Sequence, residues 1–300
     1  AHSEHLTREM LQHQSGHNAA ALLSNTPGVA NAAFGPGVGR PVIRGMSGNR
    51  VRVLHNGSDA ADVSAMSSDH SPMAETSNAE ALDVIYGPAT LQYGSGAIGG
   101  MINVVDGSLR STPFNGFAGN ISAGLSSVDQ GFYSKAMVNA GNGSWALYAD
   151  MFYRETKDYS AFVNGRNRRI HNSDNQGQGG KLALSHNNDT GFVAFSLAET
   201  EYDYAIPNTD GEAARITPKQ TRFDLHSGIF DLNSVIEQWT FTLGYSDYQH
   251  QEKTEDLIEG LFEKNTLEIK TVADLTYQQW QANIGLQFVS KQLDLCHNHA

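Results

Sequence analysis

The sequence predicts a mainly β protein, a transmembrane antiparallel β-barrel, incomplete at about nine strands, preceded by a small mixed α/β N-terminal domain. Three observations predict it. From about Phe117 onward, apolar side chains recur at every second position. The links between these runs alternate between short and long. All three tryptophans, Trp145, Trp239 and Trp280, come directly after short links.

Residues 1–112 form the first expected domain and residues 113–300 the second. The first opens on a weakly helical stretch, Leu6 to Leu23, and continues as proline, glycine and short β runs. Its most informative segment is Glu80 to Asp106, EALDVIYGPATLQYGSGAIGGMINVVD. An apolar run breaks at a Gly-Pro pair into a glycine-rich loop and a second β-branched run, which is a strand, a turn and a strand. Gly94, Gly96 and Gly99 satisfy G-x-G-x-x-G, but a dinucleotide site needs a helix N-terminus directly afterwards to hold the pyrophosphate. Met101 to Val105 follows instead and favours strand. No G-x-S-x-G elbow, P-loop or H-E-x-x-H occurs, so no enzyme is expected.

The second domain is expected as strands near 116–125, 131–141, 144–155, 179–187, 191–203, 220–231, 238–251, 265–276 and 280–291. A barrel wall places one parity of side chains in lipid and the other toward the lumen. Trp145, Leu147, Met151 and Tyr153 share a face, against Ser144, Asp150 and Arg154; Trp239, Phe241, Leu243 and Tyr245 stand against Thr240, Thr242 and Ser246. Trp280, Ala282, Ile284, Leu286 and Phe288 stand against Gln281, Asn283, Gln287 and Lys291. A soluble β-sandwich binding protein also alternates. Link lengths separate the two: links near 141–144, 188–190, 232–237 and 277–279 are short, and those near 156–178, 204–219 and 252–264 are long. Short periplasmic turns and long outer loops produce that pattern, and the tryptophans then form one interfacial ring.

Composition narrows the function classes. No stretch approaches the roughly 18 apolar residues of a membrane helix, so a membrane-spanning form must be a barrel. A net charge of −12 argues against nucleic acid, which needs a basic stripe, and an acidic surface concentrates cations. The lone Cys296 gives no disulfide framework. Ala1 opens no signal peptide, which fits a trimmed, internal piece of a longer chain.

Glu80 to Asp106, together with Pro41 to Gly57, resembles the plug domain of TonB-dependent outer-membrane receptors. Leu22 to Val29 is similar to that family's plug opening, and Val42 to Gly45 with Arg50 to Leu54 to its first buried strands. Tyr86 departs from the arginine most members carry before Gly-Pro. The resemblance implies a bacterial outer-membrane transporter with a barrel of about 22 strands, of which this chain supplies fewer than half. Its partners would be the energy-transducing protein TonB, outer-membrane lipid and a ligand.

Residues 62–72, DVSAMSSDHSP, the exit Val104-Val105-Asp106-Gly107, the stretch Tyr153-Arg154-Glu155 through Asp158-Tyr159, Ala214-Arg215-Ile216 and Lys219 to Leu225 are similar to the zinc-uptake receptors. In that subfamily an Asp-His pair at the plug apex coordinates zinc, and Asp69 and His70 match it; zinc is then cargo, with no catalytic cofactor. Two groups from a loop cannot complete a four-coordinate zinc, so further ligands must come from elsewhere. Cys296, His297 and His299 are expected to begin an outer loop and are a second candidate metal group. His2, His5, His13 and His17 form a mobile amphipathic face, and His171, His186, His226 and His250 are scattered over lumen, turns and loops. Acidic clusters, Glu199 to Glu212 and Glu252 to Glu263, fall on expected outer loops and attract divalent cations. A siderophore, haem or cobalamin is the alternative ligand and calls for a larger aromatic or basic vestibule.

Overall fold

The computed structural model describes residues 2–12, 18–87, 90, 93, 96–207, 213–255 and 257–297. The N-terminal part holds β1 (His2–Thr7), α1 (Arg8–Gln12), α2 (Ala19–Leu22), β2 (Val29–Ala33), β3 (Gly39–Ile43), β4 (Val51–His55), β5 (Ser58–Asp59), β6 (Ala81–Tyr86) and β7 (Gly100–Val105). Five of these strands form one sheet in the order β1-β6-β7-β4-β5, in which only β4 and β7 run parallel. Glu80 to Asp106 is therefore the antiparallel β6–β7 pair the sequence predicts.

The opening segment differs from the expected helix. His2 to Thr7 pairs residue by residue with Tyr86 to Ala81, and among the described residues of this segment the helical ones are Arg8–Gln12 and Ala19–Leu22. Pairing with β6 bonds the backbone groups that face it and buries Leu6 in the sheet's core, whereas an isolated helix of this length is marginal in water. The sheet's core is Leu6, Leu22, Leu23, Ile43, Leu82, Val84, Ile102 and Val104; each fully buried aliphatic contributes about 1.5–3 kcal/mol.

The remaining strands are β8 (Phe114–Ser126), β9 (Gly131–Gly143), β10 (Trp145–Thr156), β11 (Ser160–Val163), β12 (Arg166–Arg169), β13 (Asn175–Asn188), β14 (Gly191–Ile206), β15 (Ala214–Phe230), β16 (Ile236–Thr254), β17 (Leu257–Tyr277) and β18 (Trp280–His297). Nine of them, all but the β11–β12 hairpin, make one antiparallel sheet in chain order. Asparagines set three tight turns: Asn142 accepts from Trp145 N, Asn188 from Thr190 N and Gly191 N, and Asn233 from Val235 N and Ile236 N.

Parity is as expected. Ala146, Tyr148 and Phe152 of β10 are buried, whereas Trp145, Leu147 and Met151 are exposed. The buried parity elsewhere is polar, with Lys181, Ser196, Gln220, Arg222, Asp224 and His250, and the exposed parity carries Leu182, Phe195, Leu197, Ile284, Leu286 and Phe288. Trp145, Trp239 and Trp280 all stand at the short-turn end.

The long links at 204–219 and 252–264 are a correction. β14 continues to Ile206 and β15 resumes at Ala214, while β16 and β17 leave only 255–256 between them. Alternation fades there because past the lipid the outward face is free to be polar, yet backbone pairing continues and the inward face still packs on the plug through Tyr204, Ile206 and Ile216. Among the described residues no helix is long and apolar enough to cross a membrane.

An exposed apolar face on a sheet whose edge strands, β8 and β18, do not pair with each other makes a sticky surface. Residues 1–300 expressed alone are expected to aggregate or to require detergent. A monodisperse monomer by light scattering in detergent-free buffer contradicts this.

Candidate metal centre

Residues 60–80 link β5 to β6 without regular structure. Asp62 closes this loop: one carboxylate oxygen accepts from Ser64 N (2.9 Å) and the other from Met73 N (2.7 Å). A short carboxylate bonding backbone on both sides of a loop is the local reason it holds shape. On the wall, the Tyr204 hydroxyl of β14 accepts from Ser71 N (3.1 Å) and donates to Asp69 O (3.2 Å).

His70 is consequently 3% exposed and set against β16. There Tyr248, His250 and Glu252 lie at alternate positions of one strand and share its inward face. His70 Nε2 is 2.9 Å from Glu252 Oε1, and His250 Nε2 is 3.5 Å from the same oxygen. One ligand atom from each of the three residues lies within 4.8 Å of the others. His250 stacks on Phe262 (4.2 Å, 14°), and its ring meets His70 edge-on at 4.7 Å. Asp69 Oδ1 stands 4.0 Å from His70 Nε2 and accepts from the Ser67 hydroxyl.

Two imidazoles and a carboxylate are the donor set borderline divalent ions prefer. In a tetrahedral zinc site, ligand atoms at about 2.0–2.2 Å from the ion stand about 3.3–3.5 Å apart, so small side-chain movements suffice. Counted from Trp239, the roughly 9–11 residues a tilted strand needs to cross lipid end before His250, leaving Glu252 outside the hydrocarbon. Hydrogen bonds from His250 and then His70 bring the Glu252 carboxyl down to about 2, against burial. It is a carboxylate at neutral pH.

Charged contacts fasten the loop and sheet to the wall. Asp106 pairs with Lys181 and with His55 (3.2 Å). Burial opposes the Asp106 charge, but Lys181 and His55 hold it well below the ordinary range. Glu75 bonds Arg154 (2.9 Å) and accepts from the Tyr202 hydroxyl (2.8 Å). Asp59 meets Arg52 (2.7 Å) and Lys291 (3.2 Å), and its backbone N–H donates to Glu268 (2.9 Å). Burial raises the Asp59 carboxyl, yet Lys291 and Arg52 outweigh it and bring it to about 2.

Other candidates separate. Cys296 is exposed and pairs with Leu261 within β18, which runs to His297, so neither begins a loop; continued pairing with β17 carries the strand past its expected end. The side chain of His297, and all of His299, His13 and His17, lie outside the described residues. His5 bonds Asp83 (2.6 Å) in the β1–β6 pair and His171 stands near Asp158 (3.8 Å). His186 lies against Trp145 (4.4 Å) and His226 edge-on to Phe192 (4.9 Å). Tyr86, at the position expected for arginine, lies under the Arg44 guanidinium (4.7 Å). Glu199, Glu201, Glu252, Glu259 and Glu263 are on extended strands and not in loops, for the reason given above; Asp210, Glu212 and Asp256 lie outside the described residues.

A compact sheet domain fastened to the polar face of a wall with an apolar outer face defines a plugged membrane barrel. Residues 1–101 match the family model of the TonB-dependent receptor plug domain. Among solved structures, the chain is similar to the copper transporter OprC (18% identity, TM-score 0.81, 93% of this chain and 44% of that one). It is also similar to the FrpB iron transporter from Neisseria meningitidis (13%, 0.80, 97% and 49%). A third is the Serratia marcescens hemophore receptor HasR in complex with its hemophore HasA and heme (17%, 0.78, 99% and 46%). Residues 1–101 belong to the TonB-dependent receptor plug domain family, and the chain as a whole has the fold of a plug with part of a barrel, which supports a place in the bacterial outer membrane. It spans about half the length of these structures. The neighbours are transporters and receptors, not enzymes.

The Asp59 anchor carries a pH signature. Its carboxyl is depressed from 3.8 to about 2, so its contribution is complete above about pH 4 and is lost as pH falls toward 2. Protease cleavage of residues 60–80 in the folded receptor is expected to rise across that window in the wild type. In Asp59→Asn it is already raised at pH 5 and rises less on further acidification, the remainder coming from Glu75 and Glu252, which hold the same loop; a wild-type pH profile in the variant contradicts the assignment.

Proposed function

We propose that the receptor to which this chain belongs carries a divalent metal ion, zinc, across the outer membrane into the periplasm, energised through TonB. The division into a plug at 1–112 and barrel at 113–300 belongs to the same reading. The observation that carries it is the cluster His70, His250 and Glu252, with Asp69 as the fourth ligand. Half of that set sits on the plug loop and half on β16.

Enclosure favours a bare ion over a chelate. His70 and His250 are 3% and 0% exposed and stand among Phe262, Tyr204 and Tyr248, an enclosure that suits a bare ion better than a siderophore or haem. Glu252, about one-third exposed, faces the outside and is the first ligand an arriving ion meets. The net charge of −12 raises the local concentration of cations. No covalent step is involved.

A second reading, an anionic ferric chelate, draws on a cavity of about 650 Å³ lined by Arg40, Arg52, Lys264 and Lys291. Asp59 and Asp62 line it too, which weakens its attraction for anions.

The test is zinc affinity of the receptor with ferric siderophore as competitor. His70→Ala, His250→Ala and Glu252→Gln are each expected to weaken zinc by at least about tenfold, about 1.4 kcal/mol, and Asp69→Ala by a smaller factor. Zinc binding unchanged in all four, or displaced by the siderophore, removes the reading.

A further inference from the structure

Resting on the metal site just proposed, the inference here concerns two residues outside its ligand set. We propose that the buried wall tyrosines Tyr204 and Tyr248 are positioning residues for that site, Tyr204 holding its plug half and Tyr248 its barrel half.

Both tyrosines are 2% exposed, and each spends its hydroxyl on the site. The Tyr248 hydroxyl lies 3.1 Å from His250 Nδ1. That leaves Nε2 as the nitrogen facing Glu252 Oε1 and the ligand cluster. A histidine that binds a metal through one nitrogen is oriented by a hydrogen bond at the other. Phe262 stacked on the ring (4.2 Å, 14°) blocks rotation out of that plane.

Tyr204 acts on the other half. Its hydroxyl bonds the residues on both sides of His70, Asp69 through the carbonyl and Ser71 through the N–H. The plug also closes directly onto this side chain: a Cβ added at Gly37 would lie 2.5 Å from Tyr204 Cβ. One hydroxyl on β14 therefore fixes how far His70 stands from β16. The two tyrosines control different quantities. Tyr248 sets the direction of a ligand, whereas Tyr204 sets the fraction of molecules whose plug half is in place, and a ligand's apparent affinity scales with that fraction.

The experiment uses the whole receptor in detergent, with Co²⁺ as spectroscopic probe and Zn²⁺ as competitor. Phenylalanine at either position keeps the ring and removes only the hydroxyl. Tyr248→Phe is expected to lower zinc affinity about 10–100-fold and to change the Co²⁺ ligand-field bands at saturation. Tyr204→Phe is expected to lower apparent affinity about tenfold while its saturated bands match the wild type. Affinities within about twofold of wild type in both variants, with unchanged bands, overturn the proposal. Wild type and His70→Ala binding zinc alike is a different result and removes the metal site itself. Should Tyr248→Phe fail to fold, ¹⁵N imidazole NMR of the zinc-loaded wild type decides: metal on His250 Nε2 with Nδ1 protonated supports the assignment, and metal on Nδ1 overturns it.

Discussion

In hydrocarbon no backbone N–H or C=O finds a water partner, so a chain that crosses without helices must pair every strand with its neighbours. The rest of this structure depends on that requirement. Nine strands in chain order, each antiparallel to the next, follow from it, and so do the two chemistries of the wall. One face must be apolar because it meets lipid. The other is free to be polar, and here it carries Lys181, Gln220, Arg222, Asp224 and Glu268, all buried.

A polar face turned inward needs partners, and the plug supplies them. Burying a charge is costly unless it is paired and hydrogen-bonded. The plug's Asp106 meets Lys181 and its Glu75 meets Arg154. The plug backbone serves as well: Gln220 donates to Ala60 O and Lys264 to Asp62 O. Such contacts are directional, and removing either partner strands a buried charge. They therefore fix the plug's register against the wall more sharply than apolar packing would. This is what allows a three-residue cluster to be assembled from segments 182 positions apart, His70 and Glu252.

The sequence made the wall legible for a physical reason. A strand between lipid and a polar lumen must alternate, and Trp145, Trp239 and Trp280 mark where lipid ends. Beyond the lipid that reason lapses. Residues 252–264 carry charges on both parities, Glu252 and Lys264 toward the plug and Glu255, Glu259 and Glu263 elsewhere, so they show no apolar alternation and read as a loop, although β16 and β17 stay paired almost to the tip. The opening strand β1 is obscured differently, since its partners in β6 lie 74 to 84 residues away and nothing local announces them. For the site, Asp69-His70 was visible only through family likeness. His250 and Glu252 were missed because their meeting with His70 is a property of docking. A signal did exist: Tyr248, His250 and Glu252 occupy alternate positions on the inward parity of one strand, an unusual concentration of ligand and hydrogen-bonding groups.

A site divided between plug and wall has a thermodynamic consequence. Whatever ion binds all its ligands stabilises the docked arrangement by the amount its affinity exceeds that for either half alone. Two ligands on a loop bind an ion weakly, and the His250–Glu252 half is no better supplied. Separating the halves by a few ångströms therefore dismantles the site without any change at an individual ligand. On the proposed reading, capture at the outer mouth and release toward the periplasm would then require no second, weaker site, only that work be done on the contacts that hold the plug to its wall.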